Sequence, residues 1–148
     1  MTLCKLLLNE PENKNSYGRN GATALHYAAM GGNLEVYQLL YDAAVVKNPK
    51  LRYCGTTPID LACWSGHSEI FKFIIDNQDD KNPAQFDGAT LLHVAARNGK
   101  LDNCRIIVEN ITDKNPTDDN GCTPLHLAAI GLRVTSLEQL SVAEFSGE

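Results

Sequence analysis

Residues 123–129 read TPLHLAA. Taken alone, the stretch is a helix start. A threonine stands at the cap, a proline follows at the first helical position, and a histidine comes two residues later. That histidine, His126, has three available roles: metal ligand, proton carrier or structural brace. The rest of the chain decides between them, because the stretch recurs. TALHYAA begins at Thr23, TPIDLAC at Thr57 and TLLHVAA at Thr90, so the threonines are spaced 34, 33 and 33 residues apart. A second anchor, Lys-Asn, keeps the same phase at Lys14, Lys47, Lys81 and Lys114. From it to the next motif threonine is 9, 10, 9 and 9 residues. The single extra residue therefore lies in the connector KNPKLRYCGT. A fixed period of this length is the signature of a stacked repeat architecture.

Each unit carries the same local instructions. The threonine hydroxyl can cap orphan N–H groups of the first turn, and Pro58 and Pro124 lose nothing at the first helical position. Leu25, Ala28 and Ala29 form one face of a short helix, repeated as Ile59, Ala62, Cys63 and as Leu125, Ala128, Ala129. Gly32, Gly66 and Gly99 are placed to end that helix in a left-handed turn. A second helix follows, with apolar residues at helical spacing: Leu34, Leu39, Leu40; Ile70, Phe73, Ile74; Leu101, Ile106, Ile107. Gly21, Gly55, Gly88 and Gly121 precede the motif threonines and suit a tight turn.

The period and the T-P-L-H-x-A pattern resemble the ankyrin repeat family, over about residues 1–131. The resemblance implies an all-α solenoid of antiparallel helix pairs joined by β-hairpin-like fingers. It also implies one domain over 1–148. Residues 1–16 would be the second half of a partial repeat, 17–49, 50–83 and 84–116 full repeats, and 117–148 an atypical C-terminal repeat. The sequence departs from the family pattern after each second helix, where Pro11, Ala44, Gln78 and Ile111 replace the usual glycine. Asn9, Asn77 and Asn110 stand one residue earlier and are expected to supply the left-handed turn instead. Leu132 breaks the phase at the C-terminal end. Ser136 and Gln139 there form a capping-box pattern before an apolar face of Leu137, Leu140 and Phe145, which predicts a closing helix. Asn15, Asn48, Asn82 and Asn115 resemble a finger asparagine that hydroxylating enzymes can modify in the family.

Composition narrows the partners. A net charge of −5 over 148 residues disfavours nucleic acid and anionic membrane surfaces. No run approaches the length needed to span a membrane. The opening MTLCKLLLNEPE, broken by Lys5, is too short for a signal peptide's apolar region. Five cysteines without a CxxC pair fit free thiols in a reducing compartment. The expectation is an intracellular protein, in the cytoplasm or the nucleus.

Candidate chemistry is weak. His26, His93 and His126 stand one repeat apart, and packed helices sit about 10 Å apart, whereas zinc ligands lie within about 2.1 Å of the ion. One histidine per layer cannot converge on one metal, so a bracing role is expected. The second unit carries Asp60 there, which can accept a hydrogen bond but not donate one when ionised. Asp60, Cys63 and His67 offer the residue types of a thiol or metal site, but Cys63 occupies a packing position and Gly66 ends the helix before His67. Cys4 and Cys104, equivalent positions about three repeats apart, cannot pair. No phosphate-loop, dinucleotide or zinc-protease motif occurs. No catalytic residue, metal, cofactor or small-molecule substrate is assigned.

What varies between copies is more informative. The ends of the first helices give Met30, Trp64, Arg97 and Ile130 in one row. The fingers give Tyr17 and Arg19; Leu51, Arg52 and Tyr53; Gln85 and Phe86; Asp118 and Asp119. The family resemblance places both rows on the concave binding side. Trp, Tyr, Arg and Met are interface-enriched residues. The expected function is a non-catalytic protein-binding scaffold. Trp64, Tyr53 and Phe86 would be apolar anchors, Arg19, Arg52 and Arg97 would meet acidic groups, and Asp118 and Asp119 would form a negative end. The alternatives are a segment of a longer array with no ligand of its own, or the thiol or metal site above.

Overall fold

The computed structural model describes residues 2–10 and 16–131. It contains the helices α1 (Thr2–Leu8), α2 (Ala24–Gly31), α3 (Leu34–Ala43), α4 (Pro58–Ser65), α5 (Ser68–Asn77), α6 (Leu91–Arg97) and α7 (Leu101–Asn110). An eighth, α8, runs over 124–131. First helices stack on first helices, α2 on α4 and α4 on α6, and each packs on the second helix of its own unit. Helix α1 is a second helix that rests against α3. The expected closing helix with Ser136, Gln139, Leu137, Leu140 and Phe145, like Leu132, Pro11 and Asn15, lies outside the described residues.

The core runs along the seam between the two helix rows. Leu25, Ala29, Ile59, Ala62, Cys63, Leu92 and Ala95 supply the first-helix side. Tyr37, Ile70, Phe71, Ile74, Ile75 and Ile107 supply the other. The small residues Ala29, Ala62 and Ala95 are fully buried, so adjacent first helices approach closely. Tyr37, Tyr41 and Phe73 form an aromatic cluster, with Phe73 edge-on to Tyr41 at 5.3 Å and to Tyr37 at 6.0 Å.

The helix ends follow the sequence in part. Gly32 and Gly66 close α2 and α4 at φ 81° and 80°, and Gly99 follows α6 at φ 63°. The asparagine expectation fails. Among the described residues no non-glycine residue has a positive φ, and Ala44, Gln78 and Ile111 are extended. Asn77 and Asn110 instead donate their side-chain amides back to the carbonyls of Phe73 and Ile106, at 2.8 and 2.7 Å. Each side chain thus folds back onto the last turn of its own helix, without the left-handed strain that a Cβ incurs.

The Lys-Asn anchor has a physical cause. Lys47 Nζ donates to the Tyr41 carbonyl, and Lys81 Nζ to the equivalent Ile75 carbonyl and, at 2.6 Å, to that of Gln78. An ammonium at the carbonyl end of a helix also complements its dipole. Asn82 turns its Oδ1 onto the Leu92 N–H of α6 at 2.8 Å, so the anchor caps the end of one helix and the start of the next.

Candidate partner-binding surface

The surface rests on the fingers, and the fingers stack by one rule. Within each finger an N–H closes on the carbonyl before the motif threonine: Gly18 on Ala22, Leu51 on Thr56, Gln85 on Ala89, Asp118 on Cys122. The residue after each closing residue then donates its N–H to the preceding finger. Arg52 bonds Asn20 O, Phe86 bonds Cys54 O and Asp119 bonds Asp87 O, at 2.9, 3.0 and 2.9 Å. Their side chains lie over Gly21, Gly55 and Gly88. Gly55 is obligatory, since its φ is 75° and a Cβ would meet the Phe86 ring at 2.7 Å.

The extra residue of the second connector sits at this finger's tip. Turns Gly18–Gly21, Gln85–Gly88 and Asp118–Gly121 close over three residues, whereas Gly55 donates to Leu51 across four. The added residue leaves Tyr53 84% exposed.

The motif histidines brace this stack. His26 Nδ1 accepts the Thr23 N–H at 3.1 Å, which leaves the proton on Nε2; Nε2–H donates to Thr56 O of the next finger at 3.3 Å. His93 does the same with Thr90 and with Cys122 O, at 3.1 and 2.9 Å. Burial pushes the His26 pKa down, and its bond to Thr56 O partly opposes this. His126 caps Thr123 at 3.0 Å but is exposed.

Asp60 is the exception. Its Oδ2 accepts the Thr57 N–H and hydroxyl, both at 2.8 Å, while Oδ1 is buried without a hydrogen bond. Burial raises its pKa, held back by the Thr57 bonds and by Gln85 and Lys50 nearby. A raised folded-state pKa means the folded chain holds this proton more tightly than the unfolded one. The associated stability is therefore present in acid and lost as pH rises through the folded pKa. Asp60→His should restore the bond across to Ala89 O and stabilise the chain by about 1–2 kcal/mol at neutral pH. The gain should shrink as the pH falls and Asp60 takes up its proton. Urea unfolding of both chains across that range checks it, and a gain that grew in acid would reverse the reading.

The thiol group of residues does not assemble. Cys63 is buried, accepts from Asn103 Nδ2 at 3.4 Å, and burial pushes its thiol up to about 11. A thiol so protonated is a poor nucleophile and metal ligand at neutral pH. His67 faces away: its ring covers Gly32 and Nε2 donates to Met30 O at 3.0 Å, in the preceding unit.

The variable rows behave differently from these braces. Met30, Trp64, Arg97 and Ile130 are all exposed, Trp64 at 58%. Tyr17, Arg19, Arg52, Tyr53, Phe86 and Asp119 are exposed as well, while Leu51 and Asp118 are half-buried. Asp118 Oδ1 is occupied within its own finger by the N–H groups of Asn120 and Cys122, at 2.9 and 2.8 Å. Among the described residues the ring contacts all lie in the Tyr37–Tyr41–Phe73 cluster. Trp64 and Phe86 thus stand as separate apolar features, with Phe86 leaning on Gly55. The stacking role of Arg52, Phe86 and Asp119 was missing from the sequence reading. Its only trace there was a glycine in the finger before each of them.

A solenoid of helix pairs with hydrogen-bonded fingers and a capping-box motif in each unit defines an ankyrin-repeat protein. The family model for ankyrin repeats (3 copies) matches residues 1–85 and 77–141, and the chain belongs to this family. It is similar to protein phosphatase 1 regulatory subunit 27 of Mus musculus, 35% identical over 71 residues, covering 47% of this chain and 44% of that protein. Protein phosphatase 1 regulatory subunit 12A of Mus musculus is 36% identical over 74 residues, covering 50% of this chain and 7% of that one. Notch-regulated ankyrin repeat-containing protein B of Danio rerio is 32% identical over 74 residues, covering 50% and 66%. The match spans less than half the length of either phosphatase subunit.

Proposed function

We propose that this chain is a non-catalytic scaffold that binds a partner protein along the first-helix ends and finger tips. The observation that carries the reading is the row Met30, Trp64, Arg97, Ile130. In helices whose motif residues are otherwise devoted to packing, this one position is exposed in every unit and changes character in every unit. Solvent-facing Trp and Met cost solubility and contribute nothing to the seam, so their use is outward. The fingers add a charge gradient, from Arg19 and Arg52 to Asp87, Asp118 and Asp119. A matching segment carries acidic groups toward the N-terminal fingers, apolar groups at Trp64 and basic groups toward the C-terminal fingers. A rigid stack presents this row without ordering cost. Relatives named as phosphatase regulatory subunits support a binding role, and their coexistence with a Notch-regulated relative leaves the partner to be set by the variable row.

Trp64→Ala should weaken partner binding by at least about 2 kcal/mol, some thirtyfold. Its melting should move by less than the equivalent of about 0.5 kcal/mol, as expected of an exposed site. Leu101→Ala, exposed on α7 away from the row, is the control. A protein captured equally well by wild type and both variants would sink the proposal, as would unfolding of Trp64→Ala.

A further inference from the structure

The joints between successive units are not equally tied. The first joint, between the α2–α3 unit and the α4–α5 unit, carries three side-chain ties. His26 Nε2–H donates to Thr56 O at 3.3 Å, His67 Nε2–H to Met30 O at 3.0 Å, and the Tyr41 hydroxyl to Asn77 O at 3.1 Å. One period on, at the joint between the α4–α5 and α6–α7 units, the corresponding residues are Asp60, Lys100 and Ile75. Asp60 turns its Oδ2 back onto Thr57 of its own unit. Ile75 has no polar side-chain group. Lys100 Nζ lies over Gly66, 3.3 Å from a Cβ built there. The third joint regains the histidine tie, from His93 to Cys122 O at 2.9 Å. The second joint is held at the fingers by the Phe86 N–H on Cys54 O and Lys50 Nζ on Ala84 O, both at 3.0 Å. Deeper in, Asn103 Nδ2 reaches Cys63 Sγ at 3.4 Å, and a thiol sulfur is a weak acceptor.

The same joint also encloses a carboxyl group. Asp60 is 3% exposed and its Oδ1 is buried without a hydrogen bond. Lys50 of the second finger and Gln85 of the third face it, and Cys63 stands on its own helix. The histidines of the flanking first helices are engaged elsewhere, His26 with Thr23 and Thr56, His93 with Thr90 and Cys122. On α5, Glu69, Lys72 and Asp76 are exposed, as is Arg97 at the end of α6. Lys50 is therefore the cation that faces this carboxylate, and it is itself exposed and bonded to Ala84 O. A buried charge so poorly compensated is costly, and the cost is relieved when water reaches it.

We infer that the second joint is a hinge, and that ionised Asp60 biases it toward an open arrangement in which water reaches Oδ1. Protonation of the carboxyl lets the seam close. The closed arrangement holds this proton more tightly than the open one. Closure is therefore favoured in acid and lost as the pH rises through the closed-state pKa. Opening parts Trp64, at the end of α4, from Phe86 and Arg97 in the next unit, so Asp60 sets the spacing of the exposed row. That consequence for binding rests on the function proposed above. The hinge does not, and it is tested on the chain alone.

The test is amide hydrogen exchange of the full chain over a range of pH, read as protection relative to an unstructured chain. The Phe86 N–H reports the second joint. The N–H groups of Arg52 and Asp119 make the same bond at the joints on either side and serve as controls. Protection at Phe86 should fall as the pH rises through the titration of Asp60, while the two controls change less. Asp60→Asn keeps an oxygen for Thr57 but carries no charge. It should hold Phe86 at the wild-type acid level throughout, about tenfold above wild type at neutral pH. Asp60→His supplies the missing donor and should also remove the pH step; it takes over if Asp60→Asn melts early. Phe86 protection that ignores pH would overturn the inference, and so would a pH step that persists in both variants. Protection that moves in step at Phe86, Arg52 and Asp119 would overturn it as well, because the change would then belong to the whole chain and not to one joint.

Discussion

Phe71→Ala should lower the unfolding free energy by about 3–5 kcal/mol, a large share of the roughly 5–15 kcal/mol that holds a domain of this size. Phe71 has no exposed surface and sits on α5, in the middle of the array. Counting from the Lys-Asn anchors, its equivalents are Cys4, Tyr37 and Cys104. Only Phe71 and Tyr37 put a large ring at this level of the seam, and α5 packs on both α3 and α4. Truncation opens a cavity that helices fixed by their fingers on one side cannot collapse to fill. Stability in a solenoid is close to a sum of units and nearest-neighbour interfaces, so loss at the centre should also uncouple the two ends. Urea unfolding followed by helical circular dichroism and by Trp64 fluorescence separates these effects. The expected result is a lower midpoint and two curves that no longer coincide. Phe73→Ala, on a half-buried member of the aromatic cluster, should cost less. A Phe71→Ala loss below about 1 kcal/mol would show that the seam relaxes and that the central unit is not the weak link.

Much of this fold was legible because a repeat shows its packing positions several times over. Thr23, Thr57, Thr90 and Thr123 identify the helix starts, and the glycines after the first helices identify their ends. The second-helix ends were misread for a physical reason. Asparagine tolerates the left-handed region, but it can also donate to the carbonyl four residues back, and Asn77, Asn98 and Asn110 all do so. Periodicity alone cannot choose between the two. Contacts across the period were less legible still. That His67 caps Met30 O, that Lys81 caps Ile75 O, or that Phe86 covers Gly55 depends on which side chain crosses to a neighbouring layer. The sequence marks such positions as recurrent or variable without saying what they touch. The candidate site divides along the same line. Its members were found because they vary, yet Arg52, Phe86 and Asp119 also bond finger to finger through their N–H groups. A change there that kinks the backbone would disturb the stack as well as the surface.

The same histidine in the same motif should carry very different weight in two units. His93→Ala should cost about 2–4 kcal/mol, and His126→Ala less than about 1 kcal/mol. His93 has no exposed surface. Its Nδ1 accepts the Thr90 N–H and faces the Thr90 hydroxyl at 2.9 Å, and its Nε2–H reaches Cys122 O of the next finger. Alanine leaves the buried Thr90 N–H and hydroxyl without the Nδ1 they face, and each buried orphan costs about 1–3 kcal/mol, while Cys122 O keeps only its bond from Asp118 N–H. It also cuts a tie that spans 29 residues of sequence, so the third and fourth fingers should loosen together. His126 makes the local half of this arrangement, with Thr123 N–H at 3.0 Å and the hydroxyl at 2.8 Å. It is exposed, so water replaces what is lost. Hydrogen exchange at Cys122 and the Asp118 turn should accelerate in His93→Ala and remain near wild type in His126→Ala when both are measured at low concentration. Equal losses in the two variants would show that the exposed His126 braces its unit as strongly as the buried His93, and the link between burial and cost would fail.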